Sequence, residues 1–270
     1  MEMAEACDGL GVGLELSSGV RWHGGLEVEI EEIAGRTGKL LVHNYFPPPE
    51  KPFVLNLAAI NRGTLVRSWK HVQTAIDLSA RCGAPFYSVH SGFALDLNPE
   101  DLGKPEAQAQ MTKAPYAHAY RIFRESVRQL SAYAKARGVR LLIENNVLTR
   151  EQAGGESPLL MTEPLEIAGF LRELDDENVG LLLDVGHAKV TAAALGIEPG
   201  RYFEELAEWI GAIHLSDNDG LRDNNRPFRE DAWFGKYFLG NVPVVIEVYG
   251  IGSEGAAAMV EVVRRWLGEK

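Results

Sequence analysis

Short apolar runs rich in valine, isoleucine and leucine recur along the chain, separated by longer amphipathic segments. Near-continuous apolar runs of this length are typical of parallel strands that are buried on both faces. Seven runs fit this description: Gly11–Leu16, Leu40–His43, Phe86–His90, Arg140–Glu144, Gly180–Asp184, Ala212–Leu215 and Val244–Val248. The pattern therefore predicts seven parallel strands.

The segments between the runs carry apolar residues at helical spacing. In the first of them, Leu65, Trp69, Val72 and Ile76 recur every three or four positions. Helices are predicted for Thr64–Arg81, Tyr116–Arg137, Thr162–Leu174, Arg201–Trp209 and Gly255–Leu267. Repeated alternation of strand and helix predicts an α/β fold, and 270 residues suit a single (β/α) TIM barrel domain over 1–270.

One strand of an eight-stranded barrel is missing from this count. The eighth run would have to precede Gly11, but Met1–Asp8 resembles the end of a helix, with Met3, Ala4 and Ala6 on its apolar side. We therefore expect the first strand to be absent or truncated: either it has been lost, or the start of the sequence lies inside the first helix.

Composition narrows the range of functions. Lys and Arg together number 27 against 38 Asp and Glu, a net charge of −11, which disfavours binding to a nucleic acid backbone. Two cysteines cannot support a disulfide-rich secreted fold. Neither a secretory signal nor a membrane-spanning apolar stretch is evident, so we expect a cytoplasmic protein.

Polar residues with metal-binding side chains stand at the ends of six of the seven runs. These residues are His43, His90, Glu144, Asp184, His214 and Glu247, and two more, His187 and Asp217, follow three positions after Asp184 and His214. The carboxyl ends of parallel strands lie on one face of a barrel, so these side chains can meet. Imidazole and carboxylate ligands together suit Zn²⁺, Mn²⁺, Co²⁺ or Mg²⁺.

Five short segments stand in order along the chain: Val89–Gly92 (VHSG), Ile143–Asn146 (IENN), Leu183–Ala188 (LDVGHA), Ile213–Gly220 (IHLSDNDG) and Ile246–Tyr249 (IEVY). Together, over about residues 11–267, they resemble the xylose-isomerase-like barrel superfamily. That group includes sugar-phosphate isomerases and epimerases and the type IV AP endonucleases (AP endonuclease family 2).

The resemblance implies roles for particular residues. The ligands of a single divalent metal match Glu144, Asp184, His214 and Glu247. His43 and His90 match positions that, with Glu144, hold another zinc in the endonucleases, so a second metal there stays open. His187 matches a residue that contacts substrate in epimerases and binds zinc in endonucleases. We assign substrate contacts to His43, His90, His187 and Asp217.

The chain departs from the nuclease pattern at one loop. Where that pattern has Asp-x-His after the strand, this chain has Asp223-Asn224-Asn225, and Arg229-Glu230-Asp231 replaces the Gly-Glu-Gly that often follows. The departure argues against a complete three-zinc site.

Three functions follow, in order of preference. The first is a metal-dependent isomerase or epimerase of a sugar, sugar phosphate or polyol, with Glu144 and Glu247 transferring the proton. The second is a metal-dependent hydrolase or phosphodiesterase, favoured by His43 and His90. The third is a degenerate barrel that binds a sugar-like ligand. A small sugar-like substrate is expected, nucleic acid and membrane partners are not, and the resemblance also allows a homodimer.

Overall fold

The computed structural model describes residues 2–37, 39–101, 113–153, 157–237 and 242–268. Seven strands occur within them, ordered along the sheet as they are along the chain. They are β1 Leu14–Leu16, β2 Leu40–His43, β3 Phe86–His90, β4 Arg140–Glu144, β5 Val179–Asp184, β6 Ile210–Leu215 and β7 Val244–Ile246. The predicted parallel α/β fold is confirmed, because β1–β2, β2–β3, β5–β6 and β6–β7 all pair in parallel.

Helices separate the strands, and all five predicted helices are present. In the described residues the helices are α1 Glu2–Leu10, α2 Leu26–Thr37, α3 Arg62–Arg81, α4 Tyr116–Lys135, α5 Arg150–Ala153, α6 Pro164–Leu174, α7 Val185–Leu195, α8 Arg201–Leu206 and α9 Ser253–Leu267. Helix α1 stands directly before β1, as the residues ahead of Gly11 predicted.

The chain divides into two compact units. The first comprises the described residues of Met1–Ile143, Pro158–Leu160 and Leu174–Val179. Its core is built from strand residues such as Val42 and Tyr87 and from the inner faces of α3 and α4, including Ile76 and Phe123, all fully buried. Two side chains cross between elements, since Trp69 donates to Ser126 and Ser126 donates to the carbonyl of Leu57.

The second unit comprises the described residues of Glu144–Ser157, Met161–Glu173 and Gly180–Lys270. Its strands β5 and β6 are buried along almost their whole length. Helix α7 begins at the residue after β5 without an intervening loop, because the Asp184 side chain accepts a hydrogen bond from the His187 N–H and caps the helix. A polar residue at the end of a strand is thereby also the start of a helix.

Asn56 ties together the loops that follow β2 and β3 in the first unit. Its Nδ2 donates to the carbonyl oxygens of Phe93 (2.8 Å) and Leu95 (3.2 Å). Its Oδ1 accepts from the N–H groups of Ala58 (2.9 Å) and Phe93 (3.2 Å). Since the side chain is 2% exposed, water cannot replace these four bonds.

We predict that Asn56→Ala lowers the free energy of unfolding by about 2–4 kcal/mol, because it leaves buried backbone donors and acceptors without their hydrogen-bond partner. Urea denaturation followed by circular dichroism measures the loss. The control is Gln129→Ala, which removes an exposed amide that bonds only within α4 and should change stability by at most ~0.5 kcal/mol. An effect of Asn56→Ala as small as that of the control would contradict the prediction.

His71 is a titratable group packed inside an aromatic cluster. Its ring stacks on Tyr45, with centroids 5.1 Å apart, and meets Phe53 edge-on at 5.7 Å. Burial lowers the pKa of His71 to about 4, although a hydrogen bond with the Asn44 backbone opposes the shift. The folded protein therefore holds this imidazole neutral at pH values where the unfolded chain protonates it.

A dependence of stability on pH follows from this pKa difference. The unfolded His71 titrates near pH ~6.5, so its contribution is fully present above that pH and declines as the pH falls towards 4. We expect the wild type to lose about 2 kcal/mol more than His71→Phe between pH 7 and pH 4.5. Urea denaturation at the two pH values measures this difference, and equal losses in both proteins would refute it.

Candidate metal site

Four residues predicted as metal ligands come together in the second unit. Glu144 ends β4, Asp184 ends β5, His214 lies in β6, and Glu247 comes directly after β7. Each offers one ligand atom, and these atoms all lie within 4.8 Å of one another. Glu144, Asp184 and His214 are at most 1% exposed. The sequence prediction that strand ends converge is correct for these four side chains.

His214 stands among the three carboxylates. Its Nδ1 lies 3.0 Å from Glu247 Oε2, and 4.0 Å from both Glu144 Oε1 and Asp184 Oδ2. The same ring nitrogen therefore faces all three acidic side chains. This makes Nδ1 the ligand atom that the imidazole offers to the centre of the cluster.

Burial makes the ionised forms of the carboxylates in this cluster energetically unfavourable. Burial raises the pKa of Glu144 well above its usual range, with Asp184 and Glu247 adding to the shift and the histidines opposing it. Burial likewise raises the pKa of Asp184 to about 6. Like charges at this separation repel, and a bound cation removes the repulsion.

The donor set fits a divalent metal. Asp184 Oδ2 is buried and has no hydrogen-bond partner among the described residues, although its other oxygen caps α7. A buried carboxylate oxygen without a hydrogen bond is costly unless it contacts a cation. Three carboxylates and one imidazole, without a thiolate, suit Mn²⁺, Mg²⁺, Co²⁺ or Zn²⁺.

Asn145 fixes the separation of two candidate ligands, a role that the sequence analysis did not assign. Its Oδ1 accepts from the N–H of Asp184 (2.8 Å), and its Nδ2 donates to the carbonyl of the same residue (3.1 Å). The pair of bonds holds Asp184 beside the residue that follows Glu144. The signal in the sequence was an asparagine directly after a strand-ending glutamate, but its partner lies 39 positions away.

His187 lies in the first turn of α7 and borders the cluster. Its Nδ1 lies 2.8 Å from the carbonyl oxygen of Asn145 and 3.5 Å from Glu144 Oε1, while Nε2 lies 3.2 Å from Asp223 Oδ2. Burial lowers the pKa of His187, but the carboxylates of Asp184, Asp223 and Glu144 outweigh burial and raise it well above the usual value. The substrate contact predicted for His187 stays a prediction.

Gly186 provides room for the residues around His187. A Cβ at this position would lie 2.5 Å from Ser216 Oγ and 3.2 Å from Asp223 Oδ1. Any other residue would force these side chains apart, so glycine in the segment LDVGHA has a steric reason.

Asp217 has a different environment. Its Oδ1 lies 2.6 Å from the ammonium of Lys189, which also donates to the carbonyl of Asn218 (2.6 Å). Its backbone pairs with that of Arg226 in an antiparallel bridge. These contacts stabilise the loop after β6, and the predicted contact with substrate stays a prediction.

His43 and His90 lie near each other in the first unit. Their ring centroids are 5.5 Å apart, and His43 Nδ1 lies 2.9 Å from Ser88 Oγ. His43 is 3% exposed. The third ligand of the predicted second metal, Glu144, belongs to the second unit, so this site stays a prediction, as does substrate contact by either histidine.

The loop after β6 carries Asp223 and Asn225, which stand where the nuclease pattern has its Asp-x-His. Asp223 directs its carboxylate at His187, whereas Asn225 donates from Nδ2 to the backbone carbonyl of Glu247 (3.2 Å). Asn225 therefore contacts the main chain beyond β7, in the position where the nuclease pattern has a zinc ligand.

Comparison with solved structures finds the same fold in sugar epimerases. The D-psicose 3-epimerase of Clostridium cellulolyticum, solved with D-tagatose, is 17% identical, with a TM-score of 0.69 over 100% of this chain and 93% of its own. A D-tagatose 3-epimerase-like protein is 18% identical, with a TM-score of 0.69 over 95% and 88%. Identities this low show the fold alone.

A third similar structure comes from a crystal that was soaked with a metal salt. A protein from Thermus thermophilus, in a crystal soaked with ZnCl₂, is 22% identical, with a TM-score of 0.66 over 98% of this chain and 93% of its own. The curated proteins include no significant match in sequence. Within the described part of the chain, no helix combines the length and apolar character that crossing a bilayer requires.

The family comparison agrees with the predicted resemblance. A family model described as a xylose isomerase-like TIM barrel matches residues 9–265, which is nearly the whole sequence. The strand order and the predicted (β/α) barrel class agree with this match. The chain belongs to the xylose isomerase-like TIM barrel family.

Proposed function

We propose that this protein is a divalent-metal-dependent isomerase or epimerase of a sugar, sugar phosphate or polyol. The observation that carries the proposal is the cluster of Glu144, Asp184, His214 and Glu247, whose ligand atoms lie within 4.8 Å of one another. The fold shared with D-psicose and D-tagatose 3-epimerase-like proteins supports a small sugar as the substrate class.

The chemistry assigns separate tasks to the metal and to the protein. A divalent ion held by the four residues would polarise a substrate carbonyl and acidify the neighbouring C–H. Glu144 and Glu247 are the two carboxylates able to exchange a proton with that carbon, one abstracting it and the other returning a proton. Their environments differ, since the Glu144 side chain is 1% exposed and that of Glu247 is 22% exposed.

His187 has a supporting task in this scheme. Its imidazole lies 3.5 Å from Glu144 Oε1 and is held by Asp223 and by the carbonyl of Asn145. These contacts orient the ring before a ligand enters. A substrate hydroxyl beside the carbon that Glu144 serves would take the place of one of these two contacts.

We predict that Glu144→Gln and Glu247→Gln each lower turnover of a ketose at least about 100-fold, because an amide cannot exchange the proton. D-psicose, D-tagatose and L-ribulose are the substrates to test, with chromatography of the products and hydrogen exchange in D₂O as readouts. The matched control is Glu125→Gln, an exposed glutamate of α4. Turnover by either variant at the wild-type rate would refute its role in proton transfer.

A hydrolase is the second candidate, and the proximity of His43 and His90 is the observation that favours it. Two histidines close together are not required for proton transfer between two glutamates. In a hydrolase, these imidazoles would bind a further metal that, with the first, activates water and clamps phosphate oxygens. Metal stoichiometry separates the two candidates.

We predict that the purified protein binds about one equivalent of Mn²⁺ and that saturating Mn²⁺ raises its melting temperature, as expected for a ligand that binds the folded state. Asp184→Asn should abolish both effects while its side-chain oxygen still caps α7. Metal analysis and differential scanning fluorimetry measure them. Two equivalents with cleavage of a phosphodiester would favour the hydrolase, and sugar binding without metal uptake would favour a degenerate barrel.

A further inference from the structure

Each oxygen of the Glu247 carboxylate faces its own donor. Oε2 lies 3.0 Å from His214 Nδ1, and Oε1 accepts a hydrogen bond from the hydroxyl of Tyr249 at 3.1 Å. Glu247 and Tyr249 are two positions apart in the segment that follows β7, and the chain bends at Tyr249.

The backbone on which both residues stand is clamped by Asn225. Asn225 Nδ2 donates to the carbonyl of Glu247 (3.2 Å), and the carbonyl of Asn225 accepts from the N–H of Tyr249 (3.0 Å). Asn225 is 6% exposed, which protects these bonds from water. Gly250 follows at φ 72°, a conformation suited to glycine, and turns the chain away directly after Tyr249.

His214 Nδ1, which faces the other oxygen of Glu247, cannot donate a hydrogen bond to it when this nitrogen binds a metal. His214 Nδ1 is the nitrogen that faces all three carboxylates, and a ring nitrogen that binds a metal through its lone pair carries no hydrogen. A tyrosine hydroxyl, with an ordinary pKa near ~10, keeps its hydrogen at neutral pH. Tyr249 can thus donate to Glu247 whether or not a metal is bound.

The hydrogen bond from Tyr249 to Glu247 counteracts the electrostatic repulsion among the three carboxylates of the cluster. The buried carboxylates of Glu144 and Asp184 stand on the inner side of the cluster, and Glu247 is its most exposed member, with 22% of its side chain accessible. When the Tyr249 hydroxyl is removed, the carboxylate can relieve the repulsion by rotating towards water. A phenol that donates to a charged carboxylate forms one of the stronger classes of hydrogen bond and opposes that rotation.

We infer that Tyr249 is a positioning residue, which holds Glu247 in the orientation that metal binding and proton transfer require. The inference rests on the proposed metal-dependent function and deepens it, since it assigns a role to a side chain outside the four candidate ligands. Tyr249 is 63% exposed, so Tyr249→Phe disturbs little packing and the hydroxyl can be tested by itself.

The test compares Tyr249→Phe with wild-type protein and with Tyr133→Phe. Tyr133 donates to the carboxylate of Asp77 at 2.9 Å, so the control removes a bond of the same kind in the other unit. Mn²⁺ affinity is measured by calorimetric titration. Loss of a group that orients a ligand typically weakens metal binding about 10- to 100-fold, so we expect a loss of at least about tenfold in Tyr249→Phe and none in Tyr133→Phe.

Kinetics with the ketose that the wild type converts best supply the second readout. At saturating Mn²⁺, a positioning role predicts a fall in kcat of about tenfold or more with KM changed little, because the group acts on Glu247 and does not touch substrate. Unchanged Mn²⁺ affinity in Tyr249→Phe would overturn the inference. A raised KM with unchanged kcat would do the same, since the hydroxyl would then be a substrate contact.

Failure of the proposed function gives a different result. If the wild type binds Mn²⁺ but converts none of the sugars, the proposed epimerase function is wrong. The Mn²⁺ titration of Tyr249→Phe still tests the positioning role in that case. A wild type that binds no Mn²⁺ would overturn both.

Discussion

The arrangement of the candidate metal site depends on the electrostatic repulsion among three carboxylates that lie around one imidazole. The ligand atoms of Glu144, Asp184 and Glu247 lie within 4.8 Å of one another, and two of these side chains are excluded from water. Burial and the proximity of like charges both raise the pKa of a carboxyl group, so the ionised cluster is unfavourable without a cation. His214 and His187 compensate part of this charge, and the remainder is the physical reason to assign a cation to the site.

The same residues that carry the charge also start and end the secondary structure. Asp184 closes β5, caps α7 with one oxygen and leaves the other without a hydrogen bond among the described residues. Because α7 begins without a loop, His187 is placed one helical turn from that carboxylate, and Asn145 fixes Asp184 from the neighbouring strand end. Folding of the second unit therefore brings most of the cluster together. It also brings the negative charges of the carboxylates close to one another, which is unfavourable.

Periodicity predicted the elements that alternate clearly between buried and exposed positions. The bounds of β2, β3 and β4 agree with the apolar runs, because each run is bracketed by polar or glycine-containing turns. Helix α7 was not predicted: it is apolar or small on nearly all sides, with Val185, Val190 and Thr191 buried, and so lacks an amphipathic stripe. Strand β7 ends at Ile246, two residues earlier than predicted, because the following residues bond to the loop after β6.

The candidate ligands were predictable for a reason that does not extend to the residues that orient them. Strand ends on one face of a parallel sheet are brought together by topology, so their positions follow from the strand pattern. Asn145, Asn225 and Tyr249 act through hydrogen bonds whose partners are set by loop conformation, and no periodicity encodes that conformation. Asn225 in particular adopts φ 42°, which asparagine tolerates better than most residues.

The same asparagine bears on the choice between an epimerase and a nuclease. In the pattern of the type IV AP endonucleases, an Asp-x-His completes a third zinc, and here Asp223 and Asn225 occupy those places. The Asp223 carboxylate contacts His187 Nε2 at 3.2 Å, and the Asn225 amide is turned to the backbone of Glu247. With His187 facing a carbonyl through Nδ1 and a carboxylate through Nε2, both ring nitrogens are directed at oxygen atoms of the protein. The groups that would complete a third metal site thus bind one another and the segment carrying Glu247, which argues against a complete three-metal site.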